Sequence, residues 1–96
     1  MKTFKDLEFK AHPLDVNGRQ AKMIFENGYG ISVVRFKMYR DFYSSYTNNE
    51  SEWEIAVLKG DEKNWELDYS TQITEDVLGY LSAEEVTEIM KQIQEL

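Results

Sequence analysis

Apolar and polar residues alternate along five short segments of the chain, which is the pattern of strands with one buried face. These segments run over residues 7–12, 19–26, 29–38, 52–58 and 65–69. Between the second and third, Asn27-Gly28 predicts a tight type I′ hairpin, because both central positions of that turn need positive φ. Successive strands joined by short turns predict an antiparallel β-meander.

The end of the chain has helical periodicity instead. Ser82-Ala83-Glu84-Glu85 is a capping box, in which Ser82 and Glu85 satisfy each other's backbone amides at the helix start. Apolar residues then recur at spacings of three and four and predict a stripe that packs on the sheet. The stripe comprises Val86, Ile89, Met90, Ile93 and Leu96. Ahead of it, residues 74–81 predict a helical turn that closes one end of the sheet.

The predicted fold class is therefore α+β, with an antiparallel β-meander of about five strands packed against one C-terminal α-helix. The register between the fourth and fifth strands follows from matching their apolar faces, since a slip of one residue would expose half of them. This matching pairs Val57 with Trp65, Ile55 with Leu67, and Trp53 with Tyr69. In the earlier hairpin, the type I′ turn places Ile24, Ile31 and Val33 on one face and Met23, Phe25, Val34 and Phe36 on the other.

Both faces of that hairpin are then partly apolar, and a single helix covers one face at most. The spare sheet face needs the long loop, the N-terminal segment or a second chain as cover. A homodimer through this face is therefore one expectation.

The length of 96 residues fits a single domain spanning residues 1–96, because two domains of half that size would each have too little core. No apolar run approaches the roughly 18 residues that span a bilayer, and the start of the chain lacks the apolar segment of a secretion signal. We expect no membrane association and a cytoplasmic location.

Candidate catalytic groups are scarce. The chain has no cysteine, which excludes disulfides, thiolate metal sites and cysteine nucleophiles, and it has one histidine. His12 stands beside Pro13 at a strand end without a serine or cysteine motif, which indicates a structural role. The acidic pairs lack the ordered spacing of a calcium loop. We expect a protein that is not an enzyme and needs no cofactor or metal.

Charge is distributed unevenly. Residues 1–40 carry a net charge of +4 and residues 41–96 a net charge of −11, for a total of −7. In the register above, Glu54 faces Asp68 directly, with Glu52 and Glu66 close by, and like charges opposed across strands destabilise a sheet. This arrangement predicts a surface that recognises a basic protein by imitating a nucleic-acid backbone, and the overall acidic charge disfavours direct nucleic-acid binding. The alternative is that the acidity only keeps the protein soluble.

The segment from residue 39 to residue 51 interrupts the alternation and is rich in Tyr, Ser and Asn, a composition typical of adaptable recognition surfaces. Its aromatic residues Tyr39, Phe42, Tyr43 and Tyr46 are candidate protein-binding residues, together with Glu52, Glu54, Glu66 and Asp68. In the alternative interpretation, Phe42 and one or two of the tyrosines fold back onto the core of an ordinary long loop.

Four segments resemble small acidic proteins encoded by bacteriophages, which resemble one another along most of their length and have no assigned activity. They are Asn27 to Val34, Trp53 to Gly60, Ile73 to Leu81, and the helix beginning at Glu84-Glu85-Val86. The resemblance implies expression in the cytoplasm of an infected bacterium and a protein that binds and modulates or inhibits a host protein. The alternative function is a structural or assembly protein that forms a homo-oligomer through the spare sheet face.

Overall fold

The computed structural model describes residues 1–37, 45–73 and 77–96, and it confirms the predicted α+β class. A short 3-10 helix at Phe4–Asp6 precedes the sheet. The strands are β1 (Lys10–His12), β2 (Asp15–Ile24), β3 (Tyr29–Arg35), β4 (Trp53–Gly60), β5 (Trp65–Leu67) and β6 (Leu78–Leu81), and the helix α1 spans Ala83–Gln94.

All strand pairs are antiparallel, and β1 to β5 follow one another across the sheet in chain order. Strand β6 also pairs with β4, along Trp53 to Ile55, whereas β5 pairs with Leu58 to Gly60 of the same edge. The helical turn predicted over residues 74–81 is therefore wrong where it can be compared, since Leu78–Leu81 is a strand and residues 74–76 lie outside the described part. The three-residue β5 leaves half of the β4 edge unpaired, and β6 completes it.

The β2–β3 hairpin differs from the predicted type I′ turn by one residue. The Phe25 N–H donates to the Tyr29 carbonyl, the Gly28 N–H donates to the Phe25 carbonyl, and Gly28 has φ of +85° while Asn27 is not at positive φ. This geometry is a three-residue loop built on a type I turn with a bulge at Gly28. The extra loop residue pairs Met23 with Ile31 and Ile24 with Gly30.

Because a slip of one residue exchanges the two faces of a strand, the predicted division of the hairpin is wrong. Met23 and Phe25 share a face with Ile31 and Val33, and that face lies under the helix. Ile24 lies on the opposite face, which is also where Val34 and Phe36 point by strand alternation.

The core lies between the sheet and α1. Val86, Met90 and Ile93 of the helix are fully buried against side chains of the central strands, including Val33 and Ile55. The predicted capping box is present, since the Ser82 hydroxyl accepts from the Glu85 N–H at 3.1 Å and a Glu85 carboxylate oxygen accepts from the Ser82 N–H at 3.0 Å. The apolar stripe ends at Ile93, because Leu96 is 45% exposed.

The N-terminal segment closes the open end of this core. The strand predicted over residues 7–12 is shorter, because only Lys10–His12 pair with β2, and a 3-10 helix at residues 4–6 precedes it. Phe4, Phe9 and Trp53 form an aromatic cluster with ring centroids 4.6–5.5 Å apart, and the Arg35 guanidinium lies 4.6 Å from the Trp53 ring centroid. These contacts attach the chain start to the helix side of the sheet.

The hairpin geometry predicts how Gly28 responds to substitution. Gly28→Ala should lower the free energy of unfolding by about 1 kcal/mol, because an L side chain is strained at φ of +85°, although a Cβ there would meet no other atom. Gly28→Asn should cost less, since Asn tolerates the left-handed region. Urea unfolding of both variants measures the difference, and equal stability of Gly28→Ala and the unmodified protein would contradict the bulge.

Candidate protein-binding surface

The sheet face opposite α1, here called the open face, carries the second set of side chains on each strand. In β4 these are Glu54, Ala56 and Leu58, and strand pairing adds residues from β2, β3 and β5. The added residues are Lys22, Ile24, Ser32, Val34, Trp65 and Leu67. Leu58 is fully buried and Ala56 is 7% exposed, so the centre of this face is packed although no helix in the described chain covers it.

The predicted β4–β5 register is wrong, and the observed register places Trp65 and Leu67 on the open face. The observed pairs are Leu58 with Leu67, Lys59 with Glu66, and Gly60 with Trp65. The loop between the strands is closed tightly, since Asp61 Oδ1 accepts from the N–H groups of Lys63 and Asn64. This closure moves the aromatic and aliphatic side chains of β5 away from the helix side, where face matching had placed them.

The consequence is an apolar pair at the edge of the open face. Trp65 is 40% exposed and Leu67 is 47% exposed, and the Lys22 ammonium lies 4.2 Å from the Trp65 ring centroid. A lysine over an indole ring restrains both side chains through a cation–π contact. The register predicted from face matching places these two residues in the core, although Gly60-Asp61 and Asn64 are turn-forming residues that indicate the tighter loop.

Tyr46 is a predicted site residue that the structure places beside β6. The Tyr80 N–H donates to the Tyr46 carbonyl at 2.7 Å, and the Tyr46 N–H donates to Glu54 Oε1 at 3.1 Å. Tyr46 and Tyr80 are 53% and 54% exposed, with ring centroids 6.4 Å apart. The segment around Tyr46 is thereby held against the open face.

Strand β6 carries a bulge at this contact. Trp53 pairs with Leu81 and Ile55 with Leu78, so β6 has one residue more than β4 between the two pairs. Tyr80 has φ of +58°, a conformation that costs energy for a bulky residue and is frequent at functional sites. A Cβ on neighbouring Gly79 would lie 2.2 Å from the Tyr46 Cβ, so glycine is required for this close approach.

The four predicted carboxylates do not form one cluster. Glu54 lies on the open face opposite Val34, and Glu66 lies on the other face opposite Lys59. Glu52 Oε1 accepts from the Asn48 N–H at 2.7 Å, which shapes the loop before β4. The predicted opposition of Glu54 and Asp68 is therefore wrong, because the observed register leaves Asp68 beyond the end of β5.

Asp68 is buried at the start of the turn that follows β5. Its Oδ1 accepts from the Ser70 hydroxyl and the Ser70 N–H, while Oδ2 has no hydrogen-bond partner among the described residues. The two bonds from Ser70 lower the pKa of Asp68 below its ordinary value, and the charge of Lys59 adds to this effect. Asp68 is thus a structural carboxylate.

The other predicted site residues, Tyr39, Phe42 and Tyr43, lie outside the described residues.

His12 has the structural contacts expected of it. Its ring stacks on Phe36 with centroids 4.1 Å apart, and its Nδ1 accepts from the Leu14 N–H at 3.1 Å. Burial lowers the pKa of His12, and the nearby charge of Asp15 partly opposes that shift. Asp15 itself accepts from the Lys37 and Asn17 N–H groups, and these bonds lower its pKa.

The described surface includes a broad groove and a polar cleft. A broad groove of about 900 Å³ lies along the end of β2, between that strand and the first residues of the chain. A polar cleft of about 380 Å³ includes Asp15, Arg35 and Lys37, but the Asp15 carboxylate and the Arg35 guanidinium bind the protein's own backbone. Residues 1–37, 45–73 and 77–96 contain no group of three His, Asp or Glu side chains arranged for a metal ion.

No protein-family model, curated protein or solved structure matches the chain. Within the described ranges, no helix has the length and apolar character needed to cross a bilayer.

The close contact between Gly79 and Tyr46 predicts that any side chain at position 79 lowers stability. Gly79→Ala should destabilise the protein by about 1–3 kcal/mol, because the added methyl group overlaps the Tyr46 side chain and carbonyl. Adding Tyr46→Gly to Gly79→Ala should recover part of the loss by removing the overlapping Cβ. Thermal unfolding of the single and double variants measures this coupling, which would be absent if Tyr46 did not pack on β6.

The partly buried position of His12 predicts a lowered pKa and a dependence of stability on pH. Its pKa in the folded protein should lie below the ordinary value of 6.5, because burial disfavours the charged ring. The stability that the neutral ring contributes is complete above pH 6.5 and is lost as the pH falls through the lower folded-state pKa. NMR titration of the ring protons gives the pKa, and His12→Gln should flatten the fall in stability. A measured pKa at or above the ordinary value would contradict the assignment.

Proposed function

We propose that this protein is a non-enzymatic, phage-type accessory protein that binds a host protein with a basic surface and thereby modulates or inhibits it. The open face is the proposed contact surface. Trp65 and Leu67, at its β5 edge, contribute most of the binding energy, and Tyr46 and Tyr80 lie at its β6 end. The host and phage assignment derives from the sequence resemblance, and the choice of surface derives from the fold.

The exposure of Trp65 and Leu67 together is the observation that carries this proposal. Tryptophan is enriched among residues that dominate binding energy, because it buries a large area with few rotatable bonds. Here the Lys22 ammonium lies 4.2 Å from the indole centroid, and this contact restrains the Trp65 side chain before binding. Their positions on a three-residue edge strand contribute little to the core.

Charge supports a basic partner. The one ion pair between two described residues joins Lys91 to Glu88 at 3.5 Å, so few of the described carboxylates are paired with a described cation. The exposed carboxylates of residues 1–37, 45–73 and 77–96 are Asp6, Glu8, Glu26, Glu50, Asp61, Glu62, Glu66, Glu84, Glu85, Glu88 and Glu95. A net charge of −7 accelerates association with a basic surface and repels nucleic acid. Imitation of a nucleic-acid backbone is the most specific form of this proposal.

A homo-oligomer formed through the open face is the second candidate, and it uses the same exposed pair. The two candidates differ in their response to salt. Binding of a basic partner weakens as ionic strength rises, whereas an apolar contact between two acidic copies is strengthened, because salt screens their mutual repulsion.

The test is a comparison of two matched double variants. Trp65→Ser with Leu67→Ser should reduce capture of basic host proteins from bacterial lysate by an immobilised sample, by about 2 kcal/mol or more of binding free energy. Leu14→Ser with Val16→Ser removes two apolar residues that are even more exposed, at 62% and 79%, on the β1–β2 hairpin, and should leave capture unchanged.

Quantitative mass spectrometry at low and high salt measures the captured proteins, and sedimentation measures the oligomeric state. Capture that survives the open-face variant would refute this surface. A dimer that persists at high salt and dissociates in that variant would support the second candidate.

A further inference from the structure

We propose that the outer edge of β2 at Ile24 is a second binding site, which takes an extended basic segment of a partner protein as an added β-strand. The site lies in the groove of about 900 Å³ between β2 and the N-terminal residues. The site uses the backbone edge of β2, whereas the Ile24 side chain belongs to the open face. It rests on the proposed function and deepens it by naming a second contact with a basic partner.

Hydrogen-bond alternation shows which backbone groups are involved. The Phe25 N–H bonds to Tyr29, so Phe25 and Tyr29 form a hydrogen-bonded pair, and Met23 with Ile31 is the next such pair along β2. In an antiparallel ladder the intervening residue directs its own N–H and C=O away from that partner strand. The N–H and C=O of Ile24 therefore point outward, and no described residue forms a hydrogen bond with them.

The chain start creates the gap beside this edge. Strand β1 pairs with β2 as far as Lys10 with Gln20, and continuing that register would bring Asp6 opposite Ile24. Residues 4–6 form the 3-10 helix instead, with the Asp6 N–H donating to the Thr3 carbonyl and the Leu7 N–H to the Phe4 carbonyl. The N-terminal segment is then attached to α1, since Lys2 and Gln94 exchange two hydrogen bonds of 2.8–2.9 Å.

The groove walls specify the chemistry of the occupant. Met23, Ile24 and Phe25 contribute apolar surface, and Met1 adds an exposed apolar side chain. The charged side chains of the wall are those of Lys2, Asp6, Glu26 and Glu62, of which three are acidic, and Met1 adds its α-amino group. An exposed strand edge binds extended peptides through main-chain hydrogen bonds, and the flanking side chains select the sequence. Alternating apolar and basic residues complement this groove.

The probe is a short, capped peptide of alternating lysine and valine, measured by fluorescence anisotropy against the full chain. The peptide should bind, and amide hydrogen exchange at Ile24 should become slower in its presence. A peptide of the same sequence with N-methylated valines cannot form the ladder, and one in which glutamate replaces lysine has the wrong charge. Both should bind at least about tenfold more weakly.

Two matched variants separate the backbone from the side chain. Ile24→Pro removes the outward N–H, which an edge strand tolerates, and should weaken peptide binding by about tenfold relative to Ile24→Ala, which keeps it. Glu26→Gln with Glu62→Gln should weaken binding about fivefold, whereas Glu50→Gln with Glu84→Gln should leave it unchanged. The variant Trp65→Ser with Leu67→Ser should bind the peptide as tightly as the unmodified protein does. Loss of host-protein capture without loss of peptide binding therefore separates the open-face proposal from the edge proposal.

Equal binding of the N-methylated peptide, or equal binding by Ile24→Pro and Ile24→Ala, would overturn the strand-addition proposal. The comparison of the two peptides uses the unmodified protein, so it does not depend on whether the Ile24→Pro variant folds. Equal binding of the glutamate peptide would overturn the basic occupant. Protection of the Ile24 amide that rises with protein concentration in the absence of peptide would identify a second copy as the occupant and would also overturn it.

Discussion

The structure depends on the pairing of β4, because this strand is buried on both faces and has neighbours along both edges. Ile55 and Val57 pack beneath α1, and Ala56 and Leu58 are buried on the other side. Strand β3 occupies one edge completely, and β5 and β6 divide the other edge. A strand with such surroundings contributes main-chain hydrogen bonds and apolar burial together, and every surface with a proposed function is positioned relative to it.

The divided edge explains the features of the open face. Strand β5 stops after three residues, β6 enters with a bulge at Tyr80, and the Tyr46 segment is held against that bulge. The short, irregular edge limits unwanted sheet extension. It also leaves Trp65, Leu67 and two tyrosines exposed, which concentrates the aromatic surface of the described chain beside β4.

The carboxylates have two physical roles. Asp15, Glu52, Asp61 and Asp68 accept backbone N–H groups in turns, so they stabilise local structure as well as adding negative charge. Other acidic residues are exposed, including Glu26 and Glu62 beside the edge of β2. The carboxylates suited to recognition are therefore the exposed ones near apolar surfaces, and the β4–β5 ladder does not crowd acidic residues together.

Local sequence signals determined the elements whose physics is local. The alternation of apolar residues located the central strands, and the capping box with its apolar stripe located α1, because these patterns reflect contacts within a few residues. Registers were decided by loop closure. One additional residue at Gly28 exchanged the faces of β2, and the Asp61 turn moved Trp65 and Leu67 out of the predicted core. Strand β6 was missed because its partner edge exists only once β5 has ended. The groove beside Ile24 depends on the N-terminal segment packing on α1 through Lys2 and Gln94, residues separated by nearly the whole chain, and no local pattern encodes that distance.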